Sequence, residues 1–341
     1  MPGGMMPMAE LLPQFSENFD AFVVGCAFAA NGLVGLGLGD GTVRLLCQNH
    51  VQSVKVSEGA VLCFAANPTG NGFLAGTDTG DLVAVSAAGD DTKVLWQMPR
   101  KWVDQLAVSA SGRRVAAAAG RTLALLDADG TFLRKFTALN TISGLGFDAK
   151  GKRVAAAHYN GVSLWFVAAV TDQPRILEWK GSHIGLAFHP EGEAVVTAMQ
   201  ENALHGWRLS DGQHMQMTGY PAKTESLAFT RGGKYLASSG ADAAVLWPFF
   251  GGGPRGRAPL ELGGGQSVVV TRVAAHPKRD WIALGFADGT LALADIDSGQ
   301  VVALPSCGNA AISALGFSPD GACLVAGSEA GDVRLFQGAT A

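Results

Sequence analysis

The chain has 341 residues, of which 48% are hydrophobic, so it is long enough to bury a large core. Its net charge of −4 creates no global field that would attract nucleic acid or an anionic membrane surface. Residues 1–15 contain neither a basic region nor an apolar run long enough for a signal peptide or a membrane span, so we expect a cytoplasmic protein with no membrane partner.

One short phrase recurs eight times along the chain. In its first copy an apolar run ends at Phe28, a turn follows, and two further strand-like segments cover residues 33–37 and 42–46. Successive copies are 36 to 46 residues apart, and this period with short strands and Gly-Asp turns is typical of propeller blades. The copies are anchored at Phe28, Phe64, Val108, Phe147, Phe188, Phe229, Ala275 and Phe317.

Each copy predicts the same succession of strands. The second strand is short and made of small residues, as in residues 115–119, whereas the third alternates, as in residues 43–46. Pairs such as Asn160-Gly161 predict the hairpin turns that join these two strands. Less regular sequence between copies supplies a fourth strand. We therefore predict an all-β fold, namely a single closed β-propeller of eight four-stranded blades over residues 17–341.

The N-terminal segment, residues 1–16, is expected to close this ring. The eighth copy ends at Phe336 without a fourth strand of its own, and residues 9–15 have no other place in the repeat pattern. A strand from this segment beside residues 333–336 would cover an exposed sheet edge. A disordered N-terminus is the alternative.

The repeats resemble those of the WD-repeat β-propellers over essentially the whole chain. At the dipeptide position that names the family, Trp occurs in three copies and Asp in two, although never together. These residues are Trp165, Trp207, Trp247, Asp127 and Asp295.

The family's structural hydrogen-bond set of Trp, Ser or Thr, His and Asp is matched best in the fifth copy. Trp207, Thr197 and His183 stand at three of its positions, with Glu201 in place of Asp. The resemblance implies that these residues form a buried structural set rather than a ligand site. It also implies a role as an interaction platform.

The cysteine and histidine patterns argue against a redox or metal site. The five cysteines lack metal-ligand spacing, and Cys26, Cys63 and Cys323 fall in predicted strands, where a thiol is usually a small buried hydrophobe. His189 and His276 recur in the same turn of two copies and do not converge. The sequence also lacks a nucleophile elbow and a phosphate-binding loop, so we predict no catalytic residue, cofactor or metal.

A partner-binding rim is expected at one end of the propeller. The loops before each first strand and between the second and third strands emerge there, around the mouth of the channel. Aromatic, Arg and Met side chains are typical anchors of protein interfaces, although each could also be an isolated surface residue. The residues assigned to this rim are Phe19, Trp102, Arg121, His158, Tyr159, Met199, Gln200 and Phe286.

A second candidate is the Gly- and Pro-rich loop that follows the third strand of the sixth copy, residues 248–266. Phe249, Phe250, Arg255 and Arg257 make it a possible docking loop. An inert insertion and a protein contact both remain open. An RNA contact through Arg and Gly is disfavoured because the loop is short and the protein is acidic.

Two function classes follow from these patterns. The first is a non-enzymatic platform that holds one or more protein partners, or a scaffold subunit of a larger assembly. The alternative is a small-molecule binder or enzyme that uses the central channel of the propeller. Nucleic acid is not expected as a partner.

Overall fold

Strands account for nearly all of the regular structure. The computed structural model describes residues 11–47, 50–265 and 267–338, which contain thirty β-strands and one short 3-10 turn at Arg231–Gly233. No helix in these ranges is long and apolar enough to cross a membrane. The strands of the N-terminal segment and of the first four copies are β1 (Leu11–Asn18), β2 (Val23–Phe28), β3 (Val34–Leu38), β4 (Thr42–Cys47), β5 (His50–Lys55), β6 (Val61–Ala66), β7 (Phe73–Thr77), β8 (Asp81–Val85), β9 (Thr92–Gln97), β10 (Gln105–Val108), β11 (Arg114–Ala119), β12 (Thr122–Asp127), β13 (Phe132–Thr137), β14 (Ile142–Phe147), β15 (Arg153–Phe166) and β16 (Arg175–Phe188).

The last four copies continue the same succession. Their strands are β17 (Ala194–Met199), β18 (Ala203–Arg208), β19 (His214–Met217), β20 (Leu227–Phe229), β21 (Tyr235–Ser238), β22 (Ala244–Pro248), β23 (Leu260–Leu262), β24 (Val270–Ala275), β25 (Trp281–Phe286), β26 (Leu291–Asp295), β27 (Val301–Leu304), β28 (Ile312–Phe317), β29 (Cys323–Ser328) and β30 (Asp332–Gly338).

Hydrogen bonding groups these strands into seven antiparallel sheets. Five sheets have four strands in chain order, namely β2–β5, β6–β9, β10–β13, β20–β23 and β24–β27. One sheet has six strands, β14–β19, and the last has the order β1, β30, β29, β28. The prediction of eight four-stranded blades is therefore wrong: counted by its sheets, the propeller has seven blades, because the fourth and fifth copies share one sheet.

Two long strands join the fourth and fifth copies. β15 and β16 each have 14 residues. β15 folds back on itself, since the amide of Val167 donates to the carbonyl oxygen of Lys152 (2.9 Å). At its turn Tyr159 pairs with Ser182 of β16, and β16 runs on so that His183 pairs with Met199 of β17. The repeat pattern does not show this continuity, because it depends on backbone pairing in the turn and not on the strand signals.

The innermost strands form a closed ring. Each of them contacts the next in the order β2, β6, β10, β14, β16, β20, β24 and β28, and β28 contacts β2. β1 pairs antiparallel with β30, from Leu11 opposite Gly338 to Asn18 opposite Asp332. This pairing covers the edge of β30. Ala9 of the expected closing strand lies outside the described residues, as do residues 1–10 as a whole.

The core lies between neighbouring sheets. Ala116, Ala117 and Ala118 in β11 are all fully buried, and because successive side chains point to opposite faces, they pack toward both neighbouring sheets. Elsewhere glycine makes room for an aromatic ring: a Cβ atom on Gly35 would lie 2.6 Å from the ring of Phe73. Phe73 in turn stacks on Phe64, with 5.3 Å between ring centroids. Small residues on one strand thus accommodate large ones on the next.

Candidate interaction surface

One end of the propeller is a set of loops joined by backbone hydrogen bonds. There the connection into each first strand lies beside a turn between second and third strands. The amide of Val103 donates to the carbonyl oxygen of Thr77 (2.9 Å), and that of Ala138 to Arg121 (2.9 Å). Similar bonds recur around the ring, so these loops form a rigid rim.

Three large apolar side chains are exposed on this rim. The exposed fraction is 65% for Trp102 before β10, 53% for Leu139 before β14 and 57% for Tyr159 in the turn of β15. The half-buried Trp179 and the exposed Lys180 lie in β16, which pairs with this turn. We call the following residues the rim arc: Lys101, Trp102, Arg121, Leu139, Tyr159, Trp179 and Lys180.

Polar side chains bind the loops of the rim arc to one another. Arg121 donates through Nε to the carbonyl oxygen of Ala138 (3.1 Å), and Asn140 donates through Nδ2 to that of Tyr159 (3.0 Å). Glu201 accepts a hydrogen bond from the amide of Ser182 (3.0 Å). Because each loop is bonded to its neighbour, a partner would lose little conformational entropy in ordering this surface.

Two clefts flank Trp179. One has a volume of about 500 Å³ and is lined by Leu139, Tyr159, Trp179 and Lys180 among others. The second, of about 390 Å³, shares Tyr159, Trp179 and Lys180 and reaches the buried His205. Both volumes fall in the range of pockets that take a side chain or a small ligand.

The charges on this face are divided between two regions. Lys101, Arg121 and Lys180 are exposed, and none of them forms an ion pair with another residue in the described ranges. The loops of the opposite half carry exposed carboxylates that are likewise unpaired within those ranges. We call this second set the acidic arc: Asp20, Glu58, Asp242, Asp288 and Glu329.

Three of the residues expected on the rim are buried instead. Phe286 is 5% exposed and packs between the sheet β20–β23 and the sheet β24–β27, and Met199 is 4% exposed. Both are the last residues of paired strands, β25 and β17. The side chain of Met199 lines the smaller of the two clefts. His158 is fully buried and contacts Ser163 Oγ through Nε2 (2.8 Å). The side chains of these three residues are therefore buried and are not the exposed anchors that the sequence suggested.

The other predicted rim residues differ in exposure. Trp102, Tyr159, Arg121 and Gln200 are exposed. Phe19 is half-buried, and its ring lies 5.6 Å from the guanidinium carbon of Arg44. Sequence reasoning missed Leu139 and Lys180. Leu139 lies in the connection before β14, which is the kind of position that identified Trp102, whereas Lys180 lies within the long strand β16.

The expected docking loop lies at the opposite end of the propeller. Phe249 is buried against Phe229, with 5.0 Å between ring centroids in an edge-on arrangement. Phe250 is exposed, and Arg257 lies over its ring at 5.0 Å and donates through Nη1 to its carbonyl oxygen (2.6 Å). Arg255 is exposed. Phe249 therefore anchors the loop in the core. Arg257 stabilises the loop by binding Phe250 and is not a free surface side chain.

His183 belongs to a buried hydrogen-bonded set, as predicted. Its Nδ1 lies 2.7 Å from Thr197 Oγ1 and its Nε2 lies 3.0 Å from the carbonyl oxygen of Trp179. A neutral ring satisfies both contacts if Nε2–H donates to Trp179 and Thr197 donates to Nδ1. Burial lowers the pKa of His183, which favours this neutral form. The indole of Trp207 does not reach Thr197, however, and donates instead to the carbonyl oxygen of Glu178 (3.4 Å).

A second set in the sixth copy was not recognised in the sequence. Trp247 donates through Nε1 to the hydroxyl of Tyr220 (2.7 Å), which lies 2.6 Å from Ser238 Oγ. Ser238 in turn donates to the carbonyl oxygen of Val245 (3.0 Å). Tyr220 thus occupies the role that His183 has in the fifth copy. The pattern search required histidine, so it could not find this set.

His189 and His276 link neighbouring copies through the same turn. His189 accepts from the amide of Glu191 through Nδ1 (3.2 Å), so its Nε2–H donates to the carbonyl oxygen of Gly233 in the next copy (3.1 Å). His276 makes the equivalent bond to Gly321 (3.1 Å). The prediction that these two residues recur by position is confirmed, and they are structural links.

Three thiols are held in their neutral form. Burial raises the pKa of Cys26, Cys63 and Cys307 to about 12, and all five cysteines are unpaired. Within residues 11–47, 50–265 and 267–338, no three His, Cys, Asp or Glu side chains lie close enough together to hold a metal ion.

Comparison with known proteins supports the fold class. Residues 269–341 match the family model of the anaphase-promoting complex subunit 4 WD40 domain. Telomerase protein component 1 of Rattus norvegicus is 27% identical over 206 residues, and that of Mus musculus is 26% identical over 212 residues. These matches span 59% and 60% of this chain but only 8% of each relative.

Solved structures share the architecture at low sequence identity. The computationally designed Ika8 protein superposes with a TM-score of 0.77 at 20% identity, covering 97% of this chain and all (100%) of that one. The WD40 repeats of RRP9 superpose with a TM-score of 0.62 at 18% identity, covering 81% of this chain and 94% of that one. A closed ring of antiparallel sheets with this likeness is a β-propeller. Together with the family match over residues 269–341, this likeness supports a WD-repeat β-propeller.

Proposed function

We propose that this propeller is a non-enzymatic platform that holds one or more protein partners on the rim arc. WD-repeat propellers typically act as protein-interaction scaffolds. The observation that carries the proposal is the exposure of Trp102, Leu139 and Tyr159 on three loops of one rim. Large apolar side chains at this exposure are typical of interface anchors, and burying one contributes about 1.5 to 3 kcal/mol.

The rigidity of the loops supports the same conclusion. A surface that is already ordered contributes more of its contact energy to binding, because less of that energy is lost in fixing side chains and loops. The bonds from Arg121 to Ala138 and from Asn140 to Tyr159 supply this order on both sides of Leu139.

Quantitative affinity capture from the native host tests the proposal. Trp102→Ala and Tyr159→Ala should each weaken capture of a common partner by about tenfold or more, as loss of an anchor worth above about 1.4 kcal/mol requires. Thermal unfolding of both variants should match that of the parent protein, because neither side chain is in the core.

Phe166→Ala is the matched control. Phe166 has the same exposed fraction as Tyr159, 57%, but it ends β15 at the opposite end of the propeller. Its replacement should leave capture unchanged. Full partner binding by both rim variants, or equal loss in the Phe166 variant, would show that the rim arc is not the platform.

A further inference from the structure

We infer that the partner segment held by the rim arc is an acidic peptide that carries aromatic or aliphatic side chains. This inference rests on the proposed function and specifies the chemistry of the ligand. It follows from the combination of unpaired cations, flanking clefts and an opposing acidic region on one face.

The cations of the rim arc are available to a ligand. Lys101 and Lys180 are exposed, and neither donates a side-chain hydrogen bond or forms an ion pair with another residue in the described part of the chain. Arg121 uses Nε for the carbonyl oxygen of Ala138, which orients its guanidinium while its terminal nitrogens stay unbonded within those ranges. A guanidinium held in this way presents paired donors suited to a carboxylate.

The clefts beside Trp179 supply sites for apolar side chains. The larger cleft is walled by Leu139, Ile176 and the rings of Tyr159 and Trp179, with Lys180 at its edge. Each cleft also contains one carboxylate, Glu178 in the larger and Glu201 in the smaller. Glu201 accepts two hydrogen-bond contacts from the amide of Ser182 (3.0 and 3.3 Å), which offset part of its charge. The anchors of the ligand are therefore expected to be apolar and its flanking residues acidic.

The acidic arc restricts where such a segment can lie. Its five exposed carboxylates repel an acidic chain from the opposite half of the same face, so the ligand is confined to the rim arc. The same repulsion disfavours a single-stranded nucleic acid, although aromatic and basic residues together also suit that ligand. A nucleic acid carries a charge at every phosphate, whereas a peptide can place its carboxylates only where the cations are. The peptide is therefore the favoured ligand.

Selection from a display library of short random peptides tests the inference. The purified full chain should enrich peptides that combine Asp or Glu with aromatic or aliphatic residues. For an enriched peptide, Lys101→Glu with Lys180→Glu should raise the dissociation constant by about tenfold or more at low salt, with a smaller effect at high salt. Lys135→Glu with Lys150→Glu is the control, since it makes the same change in net charge at exposed lysines outside the rim arc.

Three outcomes would overturn the inference. These are the failure to enrich any acidic peptide, an equal loss of binding in the control variant, and preferential binding of a single-stranded oligonucleotide over the enriched peptides. If host proteins are still captured through Trp102 and Tyr159 while acidic peptides are not selected, the platform stands and only the ligand chemistry is wrong.

Discussion

The fifth and sixth copies of the repeat build the same kind of buried polar set with different chemistry. In the fifth copy His183 contacts Thr197 at 2.7 Å, and in the sixth Tyr220 contacts Ser238 at 2.6 Å. Burial lowers the pKa of His183, so the histidine gains a proton only in acid, whereas burial raises the pKa of Tyr220 to about 12 and keeps it neutral. The same position in a repeat can therefore be sensitive to acid in one copy and resistant in the next.

The two sets also differ in the hydrogen-bond partners available to the residues around the central side chain. The sixth copy is a single chain of donors that runs from Trp247 through Tyr220 and Ser238 to the backbone. In the fifth copy Thr197 Oγ1 has two acceptors in reach, His183 Nδ1 and the carbonyl oxygen of His205 (3.1 Å). Removal of the central residue should consequently cost more in the sixth copy, because Trp247 then loses the acceptor of its indole N–H, whereas Thr197 in the fifth copy keeps the carbonyl oxygen of His205.

The largest expected effect is that of Tyr220→Ala. This change removes a buried aromatic ring and leaves the indole N–H of Trp247 without its acceptor, so we expect the free energy of unfolding to fall by about 3 to 5 kcal/mol. Chemical denaturation measures this loss. Tyr159→Ala is the control, because the exposed Tyr159 should change stability by no more than about 0.5 kcal/mol. Equal effects of the two changes would contradict the assignment of Tyr220 to a structural set.

His183→Ala should have the next largest effect. It leaves the hydroxyl of Thr197 and the carbonyl oxygen of Trp179 without this partner, and we expect a loss of about 1 to 3 kcal/mol in the free energy of unfolding. His50→Ala serves as the comparison, since His50 is exposed on β5. If His183→Ala left stability unchanged but abolished binding of a metal or ligand, a functional role would replace the structural one.

Acid should weaken the fifth copy by a smaller amount. Burial is the main reason that the pKa of His205 falls from 6.5 to about 3 in the folded protein. Between these values the unfolded chain binds a proton that the folded chain does not, so stability is complete above about pH 6.5 and decreases as the pH falls. From pH 7 to pH 5.5, His205 should account for a loss of about 1 kcal/mol.

His205→Phe tests this assignment. Phenylalanine keeps an aromatic ring against Trp179, on which His205 stacks with 4.0 Å between centroids, but it cannot titrate. The fall in unfolding free energy between the two pH values should shrink by about 1 kcal/mol in this variant. An unchanged pH dependence would exclude His205 as its source. The contribution of Tyr220 to the pH dependence of stability has the opposite sign. Because its pKa is raised in the folded protein, this contribution is lost only as the pH rises from about 10 toward 12.

Some members of the two buried polar sets could be predicted from the sequence. The resemblance to the WD-repeat family identified His183 and Thr197 as partners, and the hydrogen bond between them confirms it. The same argument placed Trp207 in the set, yet its indole lies against Glu178, because β16 of the shared sheet brings that carbonyl oxygen within reach. The tyrosine set escaped notice because no sequence rule states that a phenol at another position in the loop can replace an imidazole.

The rim was predicted less well than the fold. Period and strand alternation identify which residues lie near a turn, and Trp102 and Tyr159 are exposed there. The period and the strand alternation do not show whether the side chain of the last residue of a strand points outward or into the space between sheets. Phe286 points into the core and Leu139 into solvent, because the packing of neighbouring sheets decides the direction of each side chain.

The sequence by itself determined that the chain is an all-β propeller, since local strand signals and turn residues recur every 36 to 46 residues. Only the tertiary structure decided the number of sheets, because the pairing of Tyr159 with Ser182 joins two copies through a turn that no strand signal marks. It also decided the division of charge on the rim. Residues far apart in the chain, such as Asp20 and Glu329, become part of one acidic arc only when the ring closes.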